Sequence, residues 1–491
     1  VEEARRETMP RKVRIAMPDW TEDPIYRQLE LNVVDHGADD LPRLALADRL
    51  EEIGHPSALA RAEFIRVQIE SNHLDSGDAR RETLLARANQ LLTQHESSWL
   101  GGMDRWLSQV SWERGFPEKV KIGVRQFVER WPVLQHHLPS RHIHLLRLSQ
   151  TSLPMEQLAN TPGFSELRGF SIPRSLAGDS KVAELLHISA FSQLECLDLS
   201  ESGLGHRSLA ILPLAKLPRL QSLTLAGNNL HQILASLCRK DVPFRLKTLN
   251  LTHTYLGLID YESLFQWPGL EHVQHLNLWG NGLGNPGAFE LARSPRLANL
   301  RSLNLGVCQI GTRGITAIQS SGGMPLLEDL DLHGNDIRPS GLSALLGCLF
   351  AHRLTALKLG NNQLEDRGAH QLQQWPGLSR VSTLNLSSNG LTSQGIGALC
   401  QSPYLRQVTQ LNLSDNPIGD RGVHHLATCA GLQHLRKLDL TLCRLSDLSV
   451  RSLFQSTFFP NLRELRLGGN ALSNPTSRVV LRHFPRALRM W

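Results

Sequence analysis

Val273–Leu283 reads VQHLNLWGNGL. Apolar side chains stand at its first, fourth, sixth and eleventh positions, and the ninth is Asn281. The same frame, L-x-x-L-x-L-x-x-N-x-L, returns as Leu220–Leu230 (LQSLTLAGNNL), Leu327–Ile337 (LEDLDLHGNDI) and Leu462–Leu472 (LRELRLGGNAL). Aligned frames begin at 143, 167, 194, 220, 246, 273, 300, 327, 354, 381, 408, 435 and 462. That makes thirteen units, and every step from 246 onward is 27 residues. A fixed period of this length marks an architecture in which each unit buries its apolar face on the next.

Each unit has two halves. The x-L-x-L-x core alternates with period two, which predicts a short strand with one buried face. Asn285–Ser294 and Arg421–Cys429 space apolar residues by three and four, which predicts a helix. The expected fold class is therefore α/β: a solenoid, horseshoe-like, with parallel strands on the concave face and helices on the convex face. The ninth position holds Asn228, Asn281, Asn335, Asn362, Asn389, Asn416 and Asn470, with Cys308 and Cys443 as variants. A buried amide there satisfies backbone groups that the turn out of the strand leaves unpaired. Gly287, Gly314, Gly341, Gly368, Gly395 and Gly422 repeat near the start of the helical half. They suit close approach to the neighbouring backbone.

These motifs resemble leucine-rich repeats of the ribonuclease-inhibitor-like subclass, over roughly residues 143–488. The pattern is weakest at its start, where Thr151 and Ser175 replace Asn and one step is 24 residues. The resemblance implies a surface for binding other proteins.

Residues 24–142 do not repeat. Leu41, Leu44, Ala47, Leu50 and Ile53 have helical spacing, and Gly54 suits the position after a helix end. Ala58–Glu70 and residues 78–94 read as further helices, Trp112–Ile122 as a turn between strands, and Val124–Trp131 as a helix. Arg43, Ala47, Asp48, Leu50, Glu51, Glu52 and Gly54, followed by Glu63, Phe64, Ile65 and Arg66, resemble the repeat-companion domain that precedes repeat arrays in certain bacteria. That resemblance implies an architecture and no activity. Residues 1–23 read as a disordered tail, 24–142 as a cap domain and 143–491 as the array.

Composition narrows the class. The 491 residues are 41% hydrophobic and 20% charged, as in ordinary globular chains. Seven Cys, an odd number without CxxC spacing, argue against a disulfide framework or a zinc site. No run approaches the ~18 apolar residues of a membrane span, and the first 30 residues hold no apolar leader, so a cytoplasmic location is expected. The net charge is −3 over 1–142 and +9 over 143–491.

No nucleophile elbow, HExxH or phosphate-binding glycine loop is present, so no catalytic residue, metal ligand or cofactor is assigned. Asp48, Glu51, Glu52 and Glu63 form an acidic group better read as a helix face paired to Arg43 or Arg66. His136–His137 and His424–His425 lack acidic partners at helical spacing.

Binding candidates come from the outward strand positions. The fifth column runs from Arg147 to Arg466 and is almost all polar; the seventh, from Ser149 to Gly468, is mostly small. Trp279 breaks the seventh column, between Thr252 and Gly306. Exposed, it is a binding anchor, with His253, His275, Val307 and His333 around it. The competing arrangement lays its ring flat over Gly306. Arg436, Lys437, Arg463 and Arg466 form a second, basic patch. The expected function is a non-catalytic scaffold with a protein partner on the concave face. The alternatives are a regulator or inhibitor of an enzyme, and a salt-sensitive nucleic-acid binder.

Overall fold

The computed structural model describes residues 15–36, 39–74, 79–135, 138, 142–146, 154–174, 178–187, 191–238 and 245–484. Residues 1–14 of the expected tail, His136, His137, Arg147, Ser149, Thr151 and Ser175 lie outside them. Two compact units are formed, 1–175 and 176–491.

The first unit begins with α1 (Pro24–Asp35), α2 (Leu41–Ile53), α3 (Pro56–His73) and α4 (Ala79–Trp99). It continues with β1 (Leu107–Glu113), β2 (Phe116–Gly123), α5 (Val124–Leu134), β3 (His142–Leu146), α6 (Met155–Ala159) and β4 (Gly169–Ser171). Helix α2 ends at Gly54, whose φ of 70° is the left-handed cap that its glycine allows. Strands β1 and β2 are antiparallel. The turn between them places Arg114 and Gly115 at positive φ, as short hairpins require.

Strand β2 pairs in parallel with β3, and β3 with β4, so the first two frames share a sheet with the N-terminal residues. Asp19–Glu22 form a 3-10 turn, and Trp20 packs edge-on against Tyr26 in the helical core. Helix α1, absent from the sequence reading, is started by the Asp23 carboxylate, which accepts from the Tyr26 N–H at 2.7 Å.

The second unit runs α7 (Asp179–His187), β5 (Cys196–Asp198), α8 (His206–Ile211), β6 (Ser222–Thr224), β7 (Thr248–Asn250), α9 (Leu258–Gln266), β8 (His275–Asn277), α10 (Gly284–Arg293), β9 (Ser302–Asn304) and α11 (Thr312–Gln319). It goes on with β10 (Asp329–Asp331), α12 (Arg338–Leu346), β11 (Ala356–Lys358), α13 (Glu365–Gln374), β12 (Thr383–Asn385), α14 (Ser393–Cys400), β13 (Gln410–Asn412) and α15 (Gly419–Ala427). The end is β14 (Lys437–Asp439), α16 (Asp447–Gln455), β15 (Glu464–Arg466) and α17 (Asn474–His483).

Every strand from β5 onward occupies the third to fifth positions of its frame and pairs in parallel with the next. The central Leu is buried and its two neighbours face outward. Among its described residues the frame starting at 220 has a 3-10 turn at Leu234–Ser236 and no α-helix.

Two ladders join the units. The first is the ninth-position column. Asn362 Nδ2 donates to the carbonyls of Leu332 and Leu359, at 2.9 and 3.0 Å, and its Oδ1 accepts from Ile337 in the preceding unit. Cys308 and Cys443 occupy the same position and donate Sγ–H to Leu278 and Leu413, both at 3.2 Å. Ser202 and Thr254 also belong to this column, and Thr254 Oγ1 donates to Leu251 at 2.7 Å.

The second ladder caps helices across units. Asp179 accepts from the Gly205 and Ser208 N–H groups, Asp366 from Thr392, Asp420 from Ser446, and Asn285 from Gly311 and Gly314. Each satisfies donors that the next helix leaves unpaired. The repeated glycines sit where these neighbours press closest. A Cβ on Gly341 would lie 3.2 Å from the Thr312 Cα in the previous unit.

Candidate functional site

The outward face of the array is built from the third, fifth and seventh columns. Fifth-column Asn and Asp have a task that sequence reading did not assign. The Oδ1 of Asn250 accepts from Thr252 N–H at 3.0 Å, Asn277 from Trp279, Asn304 from Gly306, and Asp331 from His333. Asn385, Asn412 and Asp439 repeat the bond two residues on. This turn holds the strand exit in place. The signal was present in the sequence as Asn or Asp recurring at one frame position.

Trp279 does not stand free. It is half-buried, and a Cβ on Gly306 would lie 2.4 Å from its Cδ1 and 2.7 Å from its Nε1. The ring therefore lies over Gly306, the covering arrangement of the two, and stays partly exposed. His253 packs edge-on against it, with ring centroids 4.6 Å apart. The neighbouring side chains repeat the device: His253 lies over Gly280, Val307 over Gly334 and His333 over Gly360. His253, Trp279, Val307 and His333 thus make one row along the strand exits. His275 does not join them. It is exposed at the other end of its strand and lines a depression of about 240 Å³ with Asn250, Asn277, Asn304, Asp331 and Lys358.

Val307 carries backbone strain. It is β-branched, 40% exposed, and has a φ of 53°. The same eighth position holds Gly280 and Gly334 in the adjoining units, at 72° and 68°. The left-handed region costs a non-glycine residue about 1–2 kcal/mol, and a branched side chain pays it without a local hydrogen bond. Replacing Val307 with Asn, which tolerates this region, is expected to raise stability by about 1 kcal/mol. A urea midpoint at or below the wild-type value refutes the strain.

Two cations of the basic patch are ion-paired. Lys437 Nζ lies 3.4 Å from Glu464, and Arg466 lies 2.7 Å from Glu464 and 3.6 Å from Asp439. Burial acts to raise the Glu464 carboxyl, but Lys437 and Arg466 outweigh it and hold it below the usual range. Arg463 is exposed, and its N–H donates to the Arg436 carbonyl at 2.8 Å. Lys437 and Arg466 are therefore not free cations. Lys437 and Arg466 instead help line a depression of about 250 Å³ together with Lys358, Asn385, Asn412 and Asp439.

Asp48, Glu51, Glu52 and Glu63 of the N-terminal unit are ion-paired. Arg66 bonds Asp48 and Glu51, Arg49 bonds Glu52 at 2.8 Å, and Arg87 bonds Glu63 at 2.6 Å. Arg43 takes no part; it is buried and donates to the Asp39 carbonyl at 2.7 Å. His425 packs beside Gly397 on the preceding helix. Among the described residues no group of three His, Cys, Asp or Glu converges as metal ligands, and no helix is long and apolar enough to cross a membrane.

The family described as Leucine Rich repeat matches at residues 269–292, 296–318, 323–346, 381–400, 405–427 and 431–454. The chain carries leucine-rich repeats, and its array is a leucine-rich-repeat solenoid of α/β class. No curated protein matches it. Among solved structures it is similar to the yeast Rad7 and Elc1 complex, at 18% identity and a TM-score of 0.44, over 64% of this chain and 78% of that one. It is also similar to an internalin of Listeria monocytogenes, at 19% identity and 0.41, over 69% and 91%. The mouse RP105/MD-1 complex aligns at 19% identity and 0.39, over 74% and 61%.

Proposed function

We propose that the chain is a non-catalytic scaffold that binds a protein partner on the strand face of its repeat array. The observation that carries this is the face itself. Successive parallel strands present outward columns of Asn, Asp, Ser and Thr in one register. Parallel strands sit about 4.8 Å apart and packed helices about 8–10 Å apart, so such an array bends toward its strands. A broad concave polar surface with an apolar row along one margin has the anatomy of a protein interface.

The row of His253, Trp279, Val307 and His333 is the first contact, with His275, Arg436, Arg463 and the ion-paired Lys437 and Arg466 as polar rim. Trp279 offers a half-covered ring whose position is already fixed by Gly306 and His253, which lowers the ordering cost of binding. The unit length and the Asn or Cys ladder support the ribonuclease-inhibitor-like subclass. Residues 24–142 are read as a companion-like cap domain, with a bacterial, cytoplasmic setting. Ion pairing of Lys437 and Arg466 disfavours nucleic acid as the partner.

Affinity capture from cytosol, with and without nuclease and at two salt concentrations, tests the reading. A nuclease-resistant protein that survives high salt is expected. Trp279→Ala should weaken its binding about tenfold or more. Capture that disappears with nuclease, or affinity unchanged by Trp279→Ala, overturns the scaffold or the anchor respectively.

A further inference from the structure

The sheet ends in an open strand. β15 is its last strand among the described residues, and it pairs on one side only, with β14. In a parallel ladder, alternate residues bond to opposite neighbours. Glu464 and Arg466 bond toward β14: the Glu464 N–H donates to the Arg436 carbonyl at 2.9 Å, and the Arg466 carbonyl accepts from Leu440 at 2.9 Å. Leu465 and Leu467 therefore turn their backbone groups to the open side. One unit earlier, the Leu440 N–H has the Arg466 carbonyl and the Arg436 carbonyl has the N–H groups of Arg463 and Glu464. The Leu467 N–H and the Arg463 carbonyl stand one period later, where no described strand follows. The Arg463 N–H and the Leu467 carbonyl are satisfied within the chain, by Arg436 and by Asn470 Nδ2.

The apolar frame is open at the same end. Its first and eleventh positions are sealed in the preceding unit, where Leu435 is 0% and Leu445 1% exposed. Leu462 and Leu472 hold those positions in the last frame and are only partly buried. A strand edge with unpaired backbone groups beside uncovered leucines is a template for pairing with another chain.

We propose that this edge joins a second copy of the chain, with β15 antiparallel to its counterpart about a two-fold axis at Leu465. In that register Glu464 of each copy lies opposite Arg466 of the other, on the same face of the sheet. Those side chains already belong to the ion pairs that link Lys437, Glu464, Arg466 and Asp439, and the contact carries the network across the axis. The two Leu465 residues exchange reciprocal N–H···O=C bonds. Each Leu467 N–H meets the Arg463 carbonyl of the other copy. The groups left free on one edge thus answer those left free on the other, which is the self-complementarity a two-fold contact requires. The contact goes beyond the scaffold reading and does not depend on which partner the strand face binds.

The test uses the full chain. Sedimentation velocity from micromolar to submillimolar concentration should show a reversible monomer–dimer equilibrium. Glu464→Arg sets Arg against Arg across the axis, and Arg466→Glu sets Glu against Glu. Each variant alone should self-associate at least about tenfold more weakly than wild type. Mixed, the two chains oppose unlike charges at both positions and should form a heterodimer. In wild type, the Leu465 and Leu467 amides should exchange hydrogen more slowly as concentration rises, a readout that needs no variant and holds should either one misfold. A chain monomeric throughout, the result expected if its own residues 485–491 cover the edge, overturns the proposal. So does a dimer that neither variant weakens, a weakening that mixing does not reverse, or exchange at Leu465 and Leu467 indifferent to concentration.

Discussion

Asn389→Ala is expected to lower the stability of the array by about 4 kcal/mol, the largest single-site effect among the substitutions considered. The side chain is 1% exposed. Its Oδ1 accepts from the backbone N–H of Asn362 and Leu364, at 3.0 and 3.2 Å. Its Nδ2 donates to the carbonyls of Leu359 and Ser387, at 2.9 and 3.1 Å. Truncation leaves the buried Asn362 and Leu364 N–H groups without acceptors, at about 1–3 kcal/mol each, and removes one bond each from the Leu359 and Ser387 carbonyls, which keep Asn362 Nδ2 and the Asn361 N–H. The loss is a large part of the ~5–15 kcal/mol that holds an ordinary domain together. In a stacked array it concentrates in the unit it strikes and that unit's neighbours.

The chain contains its own control. Cys308 donates to Leu278 from the same frame position, so a thiol supports the turn. Asn389→Cys is therefore expected to cost less than half as much as Asn389→Ala. Urea unfolding followed by circular dichroism measures both. If Ala costs no more than Cys, the column is filling space and not bonding the turn.

The strands were legible because their information is periodic. A leucine every second residue, repeated at 27, fixes which positions face inward, and the pairing of Leu330 with Leu303 and Leu357 follows directly. The same period contained the ion pairs that the sequence reading missed. Lys437 and Glu464 are one period apart, as are Asp439 and Arg466, so register alone sets each pair side by side. A cation read alone hides the acid one unit away, as Glu464 stands beside Lys437 and Asp439 beside Arg466.

The placement of the Trp279 ring was open in the sequence for a different reason. Periodicity gives the face a residue occupies but not its rotamer, and a ring beside a glycine gains contact by folding down onto it. The N-terminal unit was legible where caps and amphipathic spacing mark helices, as at Gly54. It was not legible at Trp20, whose burial depends on Tyr26 and on residues far along the chain.

The cross-unit helix caps give the second large effect. Asp420 accepts from the Ser446 N–H at 2.9 Å, from the Ser446 hydroxyl at 2.6 Å and from the Ser449 hydroxyl. Asp420→Ala removes the acceptor and is expected to cost about 2–3 kcal/mol. Asp420→Asn should cost much less, because Asn285 does the same work for Gly311 and Gly314 through one amide oxygen. The carboxylate adds a pH dependence that the amide lacks. Burial acts to raise the Asp420 pKa, but the bonds from Ser446 and Ser449 prevail and hold it below its ordinary value. Asp179 is held down in the same way by Ser208, Arg207 and Gly205. A group depressed on folding contributes its full stability above its unfolded pKa, near ~3.9 for Asp. That contribution is lost as pH falls through the lower, folded value. Stability measured in urea should therefore be flat in this term above about pH 5 and fall below about pH 4, and the fall should be shallower in Asp420→Asn than in wild type. Equal slopes in the two proteins would mean that Asp420 is not charged when it caps the next helix, and that the ladder works through hydrogen bonds alone.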